Sequence, residues 1–157
     1  MWLGFRVQSI PSWGMDRVTS LPDSIRDPQT YAIIGAAMEV HTVLGPGLVE
    51  SVYRDSLRVE FSHRQIRHAC EVEFPAYYKG SRLESRFRPD FVCCESIILE
   101  IKAIPGFGRT EEQQLVNYLK VSRLERGLLI NFGAEHLQFK RFVLSRPALR
   151  KGEIRTD

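Results

Sequence analysis

The chain has 157 residues, of which 43% are hydrophobic and 26% are charged, and its formal net charge is +3. This length and composition are those of one soluble globular domain with a core of its own, and they argue against a disordered or collagen-like chain. No run approaches the roughly 18 consecutive apolar residues of a membrane-spanning helix.

The N-terminal residues 1–26 predict a loose arm, because proline, glycine, serine and threonine are mixed there without a sustained hydrophobic period. Pro11 and Ser12 interrupt the apolar core that a signal peptide would need, and Met15 is an alternative start. The three cysteines form no CxxC or Cys/His spacing, which argues against structural zinc and disulfides and for a reducing compartment. We therefore expect a cytoplasmic protein.

Two helices are predicted next. Asp27-Pro28 is an N-cap acid followed by proline at the first helical position, and Gly45-Pro46-Gly47 ends the helix that starts there. A second helix is predicted from about residue 48 to residue 64. Along one of its faces lie Glu50, Tyr53, Leu57 and Phe61. The other residues of this face are suited to burial, so the carboxylate of Glu50 is predicted to lie on the face of the helix that is directed toward the core.

The hydrophobic period then changes to two. Alternation predicts strands over residues 70–78 and 83–92, and an apolar run predicts a third strand over residues 97–103. A turn at Lys79-Gly80 and an interruption at Glu95-Ser96 separate these strands. We therefore expect three antiparallel strands.

The last third of the chain predicts a helix between two strands. Thr110 to Gln113 match a capping box that opens a helix through about residue 125, and residues 128–132 predict a buried strand. Strand, helix and strand would form a right-handed βαβ unit, followed by a strand over residues 137–144. The sequence thus predicts one α/β domain over residues 27–146, between the arm 1–26 and a basic, frayed tail 147–157.

Asp90 and Glu100 are predicted to face each other on neighbouring strands. Because side chains alternate along a strand, Glu100 and Lys102 share one face. If residues 94–96 form a three-residue loop, Cys93 pairs with Ile97, and Asp90 lies opposite Glu100 with Cβ atoms about 4.5–5.5 Å apart. Two facing acids repel, so we expect a cation between them.

Two carboxylates and a lysine are suited to the hydrolysis of a phosphodiester. Mg²⁺ is commonly bound by one or two carboxylates and several waters, which leaves positions for a substrate phosphate. The metal would lower the pKa of a bound water, and Lys102 would orient that water, help to deprotonate it or stabilise the transition state. The alternative is a surface ion pair in which Lys102 bridges Asp90 and Glu100.

Three motifs resemble those of a known family. The run from Gly45 to Tyr53 resembles the signature of the GxxExxY protein family, with Gly47, Glu50 and Tyr53 at its named positions. Pro89-Asp90 followed by Glu100-Ile101-Lys102 resembles the PD-(D/E)xK motif of the nuclease superfamily to which that family is assigned. Residues 114–118 resemble the QxxxY motif of its RecB-like branch. The resemblance covers about residues 26–145.

The resemblance implies a restriction-endonuclease-like core, with a central mixed β-sheet flanked by α-helices, and a nuclease that uses Mg²⁺ or Mn²⁺. Asp90 and Glu100 would be the metal-binding carboxylates, Lys102 the catalytic lysine and Glu50 an additional acid at the metal. The carbonyl of Ile101 would complete the coordination.

The same resemblance places Gln114 and Tyr118 in the catalytic cleft, in contact with the substrate or with Lys102. An ordinary interior pair, packing the helix on the sheet, is the alternative for these two residues. For Tyr53 we favour a core role, because aromatic residues at helical spacing are usually core, and for His41 a place at the helix end.

Basic residues supply the candidate nucleic-acid contacts. Residues 1–100 hold 11 basic and 13 acidic side chains, whereas residues 101–157 hold 11 and 6. Arg82, Arg86 and Arg88 share a strand face with Asp90 in the predicted register and are suited to phosphate binding, although a solvated face is the alternative. Arg109, in a glycine-containing loop before a helix, is a further candidate.

The expected partner is nucleic acid, with DNA favoured over RNA, and not a membrane. A homodimer is left open. Two other functions fit the same residues: a non-catalytic nucleic-acid-binding or assembly module on the nuclease fold, and a metal-dependent phosphohydrolase for small phosphate esters.

Overall fold

The computed structural model describes residues 6–8 and 27–144. Apart from residues 6–8, the predicted N-terminal arm with Met15 lies outside the described residues, and so does the predicted C-terminal tail. The described part contains three helices: α1 (Pro28–Leu44), α2 (Glu50–His63) and α3 (Arg109–Ser122). None of these helices is long and apolar enough to cross a membrane.

The ends of α1 confirm the prediction made from Asp27 and Gly45. The Asp27 carboxylate accepts the N–H of Gln29 at 3.1 Å and the hydroxyl of Thr30 at 2.7 Å, so it satisfies donors that a helix leaves free at its start. Gly45, with φ of 67°, ends the helix, and its N–H donates to the carbonyl of His41. Such a positive φ favours glycine because glycine has no Cβ.

Eight strands lie in the part of the chain that the structure describes. They are β1 (Arg6–Gln8), β2 (His68–Cys70), β3 (Phe74–Tyr78), β4 (Ser81–Phe87), β5 (Phe91–Cys93), β6 (Ile97–Lys102), β7 (Arg126–Asn131) and β8 (Gln138–Val143). Five of them form a mixed sheet in the order β8-β7-β6-β5-β2, and β1 adds to its β8 edge. Among the strand pairs of residues 6–8 and 27–144, only β6 and β7 are parallel, and α3 connects them, as the predicted βαβ unit requires.

Helices cover both faces of the sheet, and each face has its own core. On one face Tyr53, Leu57 and Phe61 of α2 pack with α1 and with the odd-numbered residues of β6. On the other face Leu115 and Leu119 of α3 pack against Ile98 and Leu129. Because β6 is apolar on both sides, it lies in the middle of the sheet, and Glu100 is its one buried charged residue.

The prediction of three long antiparallel strands is wrong in one respect: two of them are divided. The run 70–78 becomes β2 and β3, and the run 83–92 becomes β4 and β5. Strands β3 and β4 pair with each other as a separate two-stranded sheet, whereas β2 and β5 belong to the main sheet. Pro89 lacks the N–H that a continuous ladder needs, and Glu71 has a positive φ of 58°, so the chain turns at both places.

The start of α3 also differs from the prediction. Gly108, not Thr110, lies at the N-cap, and its N–H donates to the carboxylate of Glu111 at 2.7 Å. This is the half of a capping box in which a glutamate reaches back to the residue before the helix. Glycine is tolerated at this position, so the sequence pattern placed the box two residues too late.

Candidate active site

The β5–β6 hairpin brings Asp90 and Glu100 together as predicted. Phe91 pairs with Leu99 and Cys93 pairs with Ile97, which confirms the predicted register and places Asp90 opposite Glu100. The N–H of Asp90 lies 3.4 Å from Oε2 of Glu100. Two acids therefore meet at the point where β5 begins.

The Asp90 side chain takes the place of a strand partner. Its Oδ2 accepts the N–H of Ile101 at 2.8 Å, because β5 begins only at Phe91 and supplies no carbonyl there. In an extended strand the N–H and C=O of one residue point to the same side. The Ile101 carbonyl is thus directed to the Asp90 side of β6.

Glu100 is 4% exposed, and two side chains hold one of its oxygens. Oε1 accepts from Lys102 Nζ at 3.1 Å and from Gln114 Nε2 at 3.0 Å. Burial, followed by the charge of Asp90, raises the pKa of Glu100 to about 7, and the nearby Lys102 opposes only part of that rise. The buried carboxyl therefore holds its proton more tightly than an exposed glutamate does.

Lys102 keeps its charge in this environment. Burial alone would lower its pKa, but the carboxylates of Glu100, Glu50 and Asp90 outweigh burial and raise the pKa above its usual value. The side chain is 15% exposed, so few waters compete with these contacts. A fixed positive charge thus lies beside the acid pair.

Glu50 approaches the same place from the other side of the sheet. It is the first residue of α2, and the backbone of Ala103, which directly follows β6, is near enough to lower the pKa of its carboxyl. Burial raises its pKa, Lys102 lowers it and Asp90 raises it, so Glu50 lies within electrostatic range of both. Among residues 6–8 and 27–144, however, no three carboxylates, histidines or cysteines form a preassembled metal cluster. A metal-binding role for Glu50 therefore stays a prediction.

Arg54 is a member of the site that the sequence reasoning missed. Its Nη1 lies 3.3 Å from Oδ1 of Asp90. Arg54 follows Glu50 by four residues on α2, a spacing that puts both side chains on one side of the helix. This spacing could have predicted the position of Arg54, because it directs the Arg54 side chain toward the same part of the protein as that of Glu50.

Gln114 and Tyr118 line one cleft, and the helix spacing of four residues brings them together. Gln114 Nε2 lies 3.1 Å from the Tyr118 hydroxyl, which in turn donates to the carbonyl of Arg88 at 3.2 Å. Of the two contacts that the resemblance implied, substrate or Lys102, the one with Lys102 is not made by Gln114, which contacts Glu100 instead. Gln114 and Tyr118 together connect α3 to Glu100 on β6 and to the segment between β4 and β5 that carries Asp90.

This geometry agrees with a comparison against protein families. A model of the PD-(D/E)XK nuclease superfamily matches residues 27–142, which is most of the chain. The chain belongs to the PD-(D/E)XK nuclease superfamily. The resemblance described above assigns the superfamily's motif to Asp90, Glu100 and Lys102, and this assignment stays a prediction.

A solved structure supports the fold of this superfamily member. The crystal structure of SSO0001 is similar to it with a TM-score of 0.51 and 17% sequence identity, over 62% of this chain and 52% of that chain. The chain thus spans about half the length of that structure, and at this identity the likeness concerns the fold alone. The fold is a mixed sheet flanked by helices, of the restriction-endonuclease-like kind. No curated protein matches the chain.

The four predicted nucleic-acid contacts of this superfamily member are divided between two places. Arg86 and Arg88 both pair with Glu73, and the distance between Arg86 and Glu73 is 2.6 Å. Arg82, on β4, is exposed and lies opposite Tyr77 of β3. The predicted common strand face with Asp90 does not exist, because the strand is divided at Pro89. Arg109 opens α3, and together with Arg86 it lines a cleft beside Gln114.

Tyr53 has a structural role, as the helical spacing indicated. Its ring is fully buried and stacks on Phe132 with centroids 4.6 Å apart. Its hydroxyl donates to the carbonyl of Gly45 at 2.6 Å and accepts the N–H of Leu48 at 3.1 Å. Tyr53 therefore fixes the loop that leads into Glu50. His41 is a helix-end residue, with Nε2 3.1 Å from the carbonyl of Ala134.

Asn131 is a second positioning residue that the sequence did not single out. It is fully buried at the end of β7, and its amide binds both the N–H and the carbonyl of Ile104, at 3.0 and 2.8 Å. Gly133 passes so close that a Cβ there would lie 2.4 Å from the Ile104 backbone. These contacts hold the chain directly after Lys102, so they fix the end of β6 where the acids meet.

Proposed function

We propose that this chain is a divalent-metal-dependent nuclease that hydrolyses phosphodiester bonds in nucleic acid, with Mg²⁺ as its cofactor and Mn²⁺ as the alternative. One observation carries the proposal: Asp90, Glu100 and Lys102 meet at the end of β6 in a member of the nuclease superfamily. DNA is the favoured substrate, and the third of the chain that follows Glu100 carries the excess of basic residues.

The donor set fits a hard divalent cation. Asp90 and Glu100 supply carboxylate oxygens and Ile101 supplies a carbonyl, with Glu50 as a further acid, and such oxygens are the ligands of Mg²⁺. Burial raises the pKa of Glu100 to about 7, so an additional positive charge would stabilise its ionised form. When bound, the cation supplies a water of lowered pKa and neutralises charge on the phosphate oxygens.

The side chains around the acids have separate roles in this proposal. Lys102 keeps a positive charge next to the site, where it stabilises negative charge developing on a phosphate. Gln114 fixes the orientation of Glu100 through its hydrogen bond to Oε1. Arg54 holds Asp90 and competes with any cation for Oδ1.

A second candidate is a non-catalytic nucleic-acid-binding or assembly module. It is favoured by the observation that each acid already has a cationic partner, Arg54 for Asp90 and Lys102 for Glu100. Calorimetry with Mg²⁺ and Mn²⁺ separates the two functions. A nuclease takes up metal in a manner that Asp90→Asn and Glu100→Gln abolish, whereas the module takes up none.

A cleavage screen tests the proposed activity directly. Supercoiled, linear, branched and single-stranded DNA and RNA are incubated with Mg²⁺ or Mn²⁺, with Lys102→Ala and Glu100→Ala in parallel. Cleavage by the wild-type protein that both variants lack is the expected result. If the purified protein cuts no substrate that the variants leave intact, the nuclease proposal is abandoned. A chromogenic phosphate ester in the same screen tests for small-ester hydrolysis.

Three finer assignments belong to this proposal. We place the chain in the GxxExxY branch, because Gly47 and Glu50 occupy its named positions and Tyr53 fixes the loop between them. We place it in the cytoplasm, since Cys70, Cys93 and Cys94 are all free thiols, which suits a reducing compartment. A homodimer, which sedimentation would detect, is the form that could cut two strands.

A further inference from the structure

A cleft of about 600 Å³ lies beside the acid pair, between β4 and the first half of α3. This volume is in the range of small-ligand pockets, which hold about 300–1,000 Å³. Gln114 and Tyr118 form the wall toward the acids, since Gln114 Nε2 lies 3.0 Å from Oε1 of Glu100. Whatever occupies the cleft is therefore next to Glu100.

The cleft is electropositive. Arg86 and Arg109 line it, and none of its lining residues is an aspartate or glutamate. Of the two acids in the first turn of α3, Glu112 pairs with Lys140, and the Glu111 carboxylate accepts the N–H of Gly108. Glu73 pairs with Arg86, but it is shared between Arg86 and Arg88, so one positive charge remains in excess. The charge suits an anionic ligand such as a phosphate.

A pair of amides on α3 lines the cleft next to Gln114 and Tyr118. Gln113 Nε2 donates to Asn117 Oδ1 at 3.1 Å, one turn apart on α3. This contact fixes both amides and leaves the Asn117 amino group and the Gln113 carbonyl oxygen with hydrogen-bonding capacity. A neighbouring donor and acceptor of this kind match the edge of a nucleobase, which amide side chains commonly contact.

We propose that this cleft holds one or two unpaired nucleotides of the substrate, so that the protein acts on single-stranded or locally unpaired nucleic acid. The proposal rests on the proposed nuclease function and deepens it by naming the substrate class. Arg86 and Arg109 bind phosphates, and Gln113 with Asn117 contacts a base edge that pairing would otherwise hide. The cleft is open to solvent, but its volume is limited to about one or two nucleotides, which suits a splayed base better than it suits the continuous surface of a double helix.

Binding is tested without cleavage, with the full chain in EDTA and fluorescence anisotropy as the readout. The probes are a short labelled single strand of mixed sequence and the duplex of the same sequence. We expect tighter binding of the single strand. Arg109→Ala should weaken binding several-fold and reduce the slope of log K against log salt by about 1.

The double variant Gln113→Ala/Asn117→Ala should weaken binding about 5-fold or more and leave the salt slope unchanged, since base contacts release no counterions. Lys120→Ala, on an exposed part of α3 outside the cleft, is the matched control. Unchanged thermal unfolding shows that a variant is folded. Binding of the duplex as tightly as the single strand, or normal binding by all cleft variants, overturns the proposal.

The two proposals fail separately. If single-strand binding depends on the cleft but no cleavage occurs in Mg²⁺ or Mn²⁺, the proposed nuclease function is wrong and the proposed role of the cleft is supported. If cleavage depends on Lys102 but the cleft variants bind and cleave normally, the proposed role of the cleft is wrong and the proposed nuclease function is supported.

Discussion

Lys102 Nζ lies 3.1 Å from Oε1 of Glu100, two residues away on the same face of β6. Both side chains are largely buried, with 15% of Lys102 and 6% of Glu100 exposed. Water therefore cannot replace either partner, and removing one charge leaves the other in a low-dielectric environment. The charge state of each residue depends on the other.

Lys102→Met keeps the aliphatic stem and removes only the positive charge. Glu100 then loses its cation, and its pKa, already about 7 because of burial and Asp90, rises further. We expect the rate of phosphodiester cleavage to fall on the order of 10²–10³-fold, as when one stabilising group is removed from a transition state. The rate is measured on the substrate that the cleavage screen identifies. Lys120→Met is the control, and wild-type activity in Lys102→Met would exclude a catalytic lysine.

The raised pKa of Glu100 makes the stability of the metal-free protein depend on pH. Its pKa is about 7 in the folded chain against the usual 4.5, because burial and Asp90 disfavour the ionised form. Between these values the folded state binds more protons than the unfolded state, so the free energy of unfolding falls as pH rises from about 4.5 to about 7. At 1.36 kcal/mol per pKa unit this loss is at most about 3 kcal/mol.

Urea unfolding in EDTA at several pH values measures this effect. Glu100→Gln should flatten the pH dependence between about 4.5 and 7, whereas Glu112→Gln, on α3 in an ion pair with Lys140 of β8, should keep it. Adding Mg²⁺ should restore stability most strongly above pH 7, where the carboxylate is ionised. Equal pH profiles for the wild-type protein and Glu100→Gln would contradict the shifted pKa.

Local patterns were enough to predict the centre of the site. The register that brings Asp90 opposite Glu100 follows from a period of two and the length of one loop, both of which lie within ten residues of sequence. The course of residues 83–92 was not predictable in this way. Apolar and polar residues alternate in the same way on both sides of Pro89, so the pattern does not show which sheet each half of residues 83–92 joins.

The missed positioning residues have distant partners. Arg54 binds Asp90 from 36 residues away, and Asn131 binds Ile104 from 27 residues away. Such contacts depend on the packing of α2 and β7 against β6, which periodicity does not determine. Only the spacing of Arg54 from Glu50 gave a local indication of where its side chain points.

Tyr53→Phe tests how the loop before Glu50 is held. The ring would stay stacked on Phe132, but the contacts of the hydroxyl with the Gly45 carbonyl and the Leu48 N–H would be lost. We expect the free energy of unfolding to fall by about 1–2 kcal/mol, the usual result of removing such hydrogen bonds. Urea unfolding measures the change. Tyr31→Phe, at a side chain that is 64% exposed, should change stability by much less, and equal effects would contradict the role of Tyr53.

Asp27→Asn tests the contact that joins α1 to the sheet. The Asp27 carboxylate caps α1 and also pairs with Arg126 at 2.7 Å and Arg141 at 3.2 Å, on β7 and β8. Burial alone would raise the pKa of Asp27, but hydrogen bonds from Thr30 and Arg126 outweigh it and lower the pKa below 3.8. The stabilisation is therefore complete above about pH 4 and is lost as pH falls through the lowered pKa.

Asparagine can still cap the helix, so the variant removes mainly the charge beside two largely buried arginines. We expect a loss of about 3 kcal/mol at pH 7, because Arg126 and Arg141 both lose their ion pair with Asp27. The difference from the wild-type protein should shrink as the pH falls through the lowered pKa of Asp27. Asp55→Asn, in an exposed pair with Arg58, should cost less than about 1 kcal/mol throughout this pH series. A difference between Asp27→Asn and wild type that stays the same from pH 7 to the most acidic pH at which the wild-type protein is folded would show that the charge of Asp27 does not stabilise the fold, and that the cap alone joins α1 to the rest of the domain.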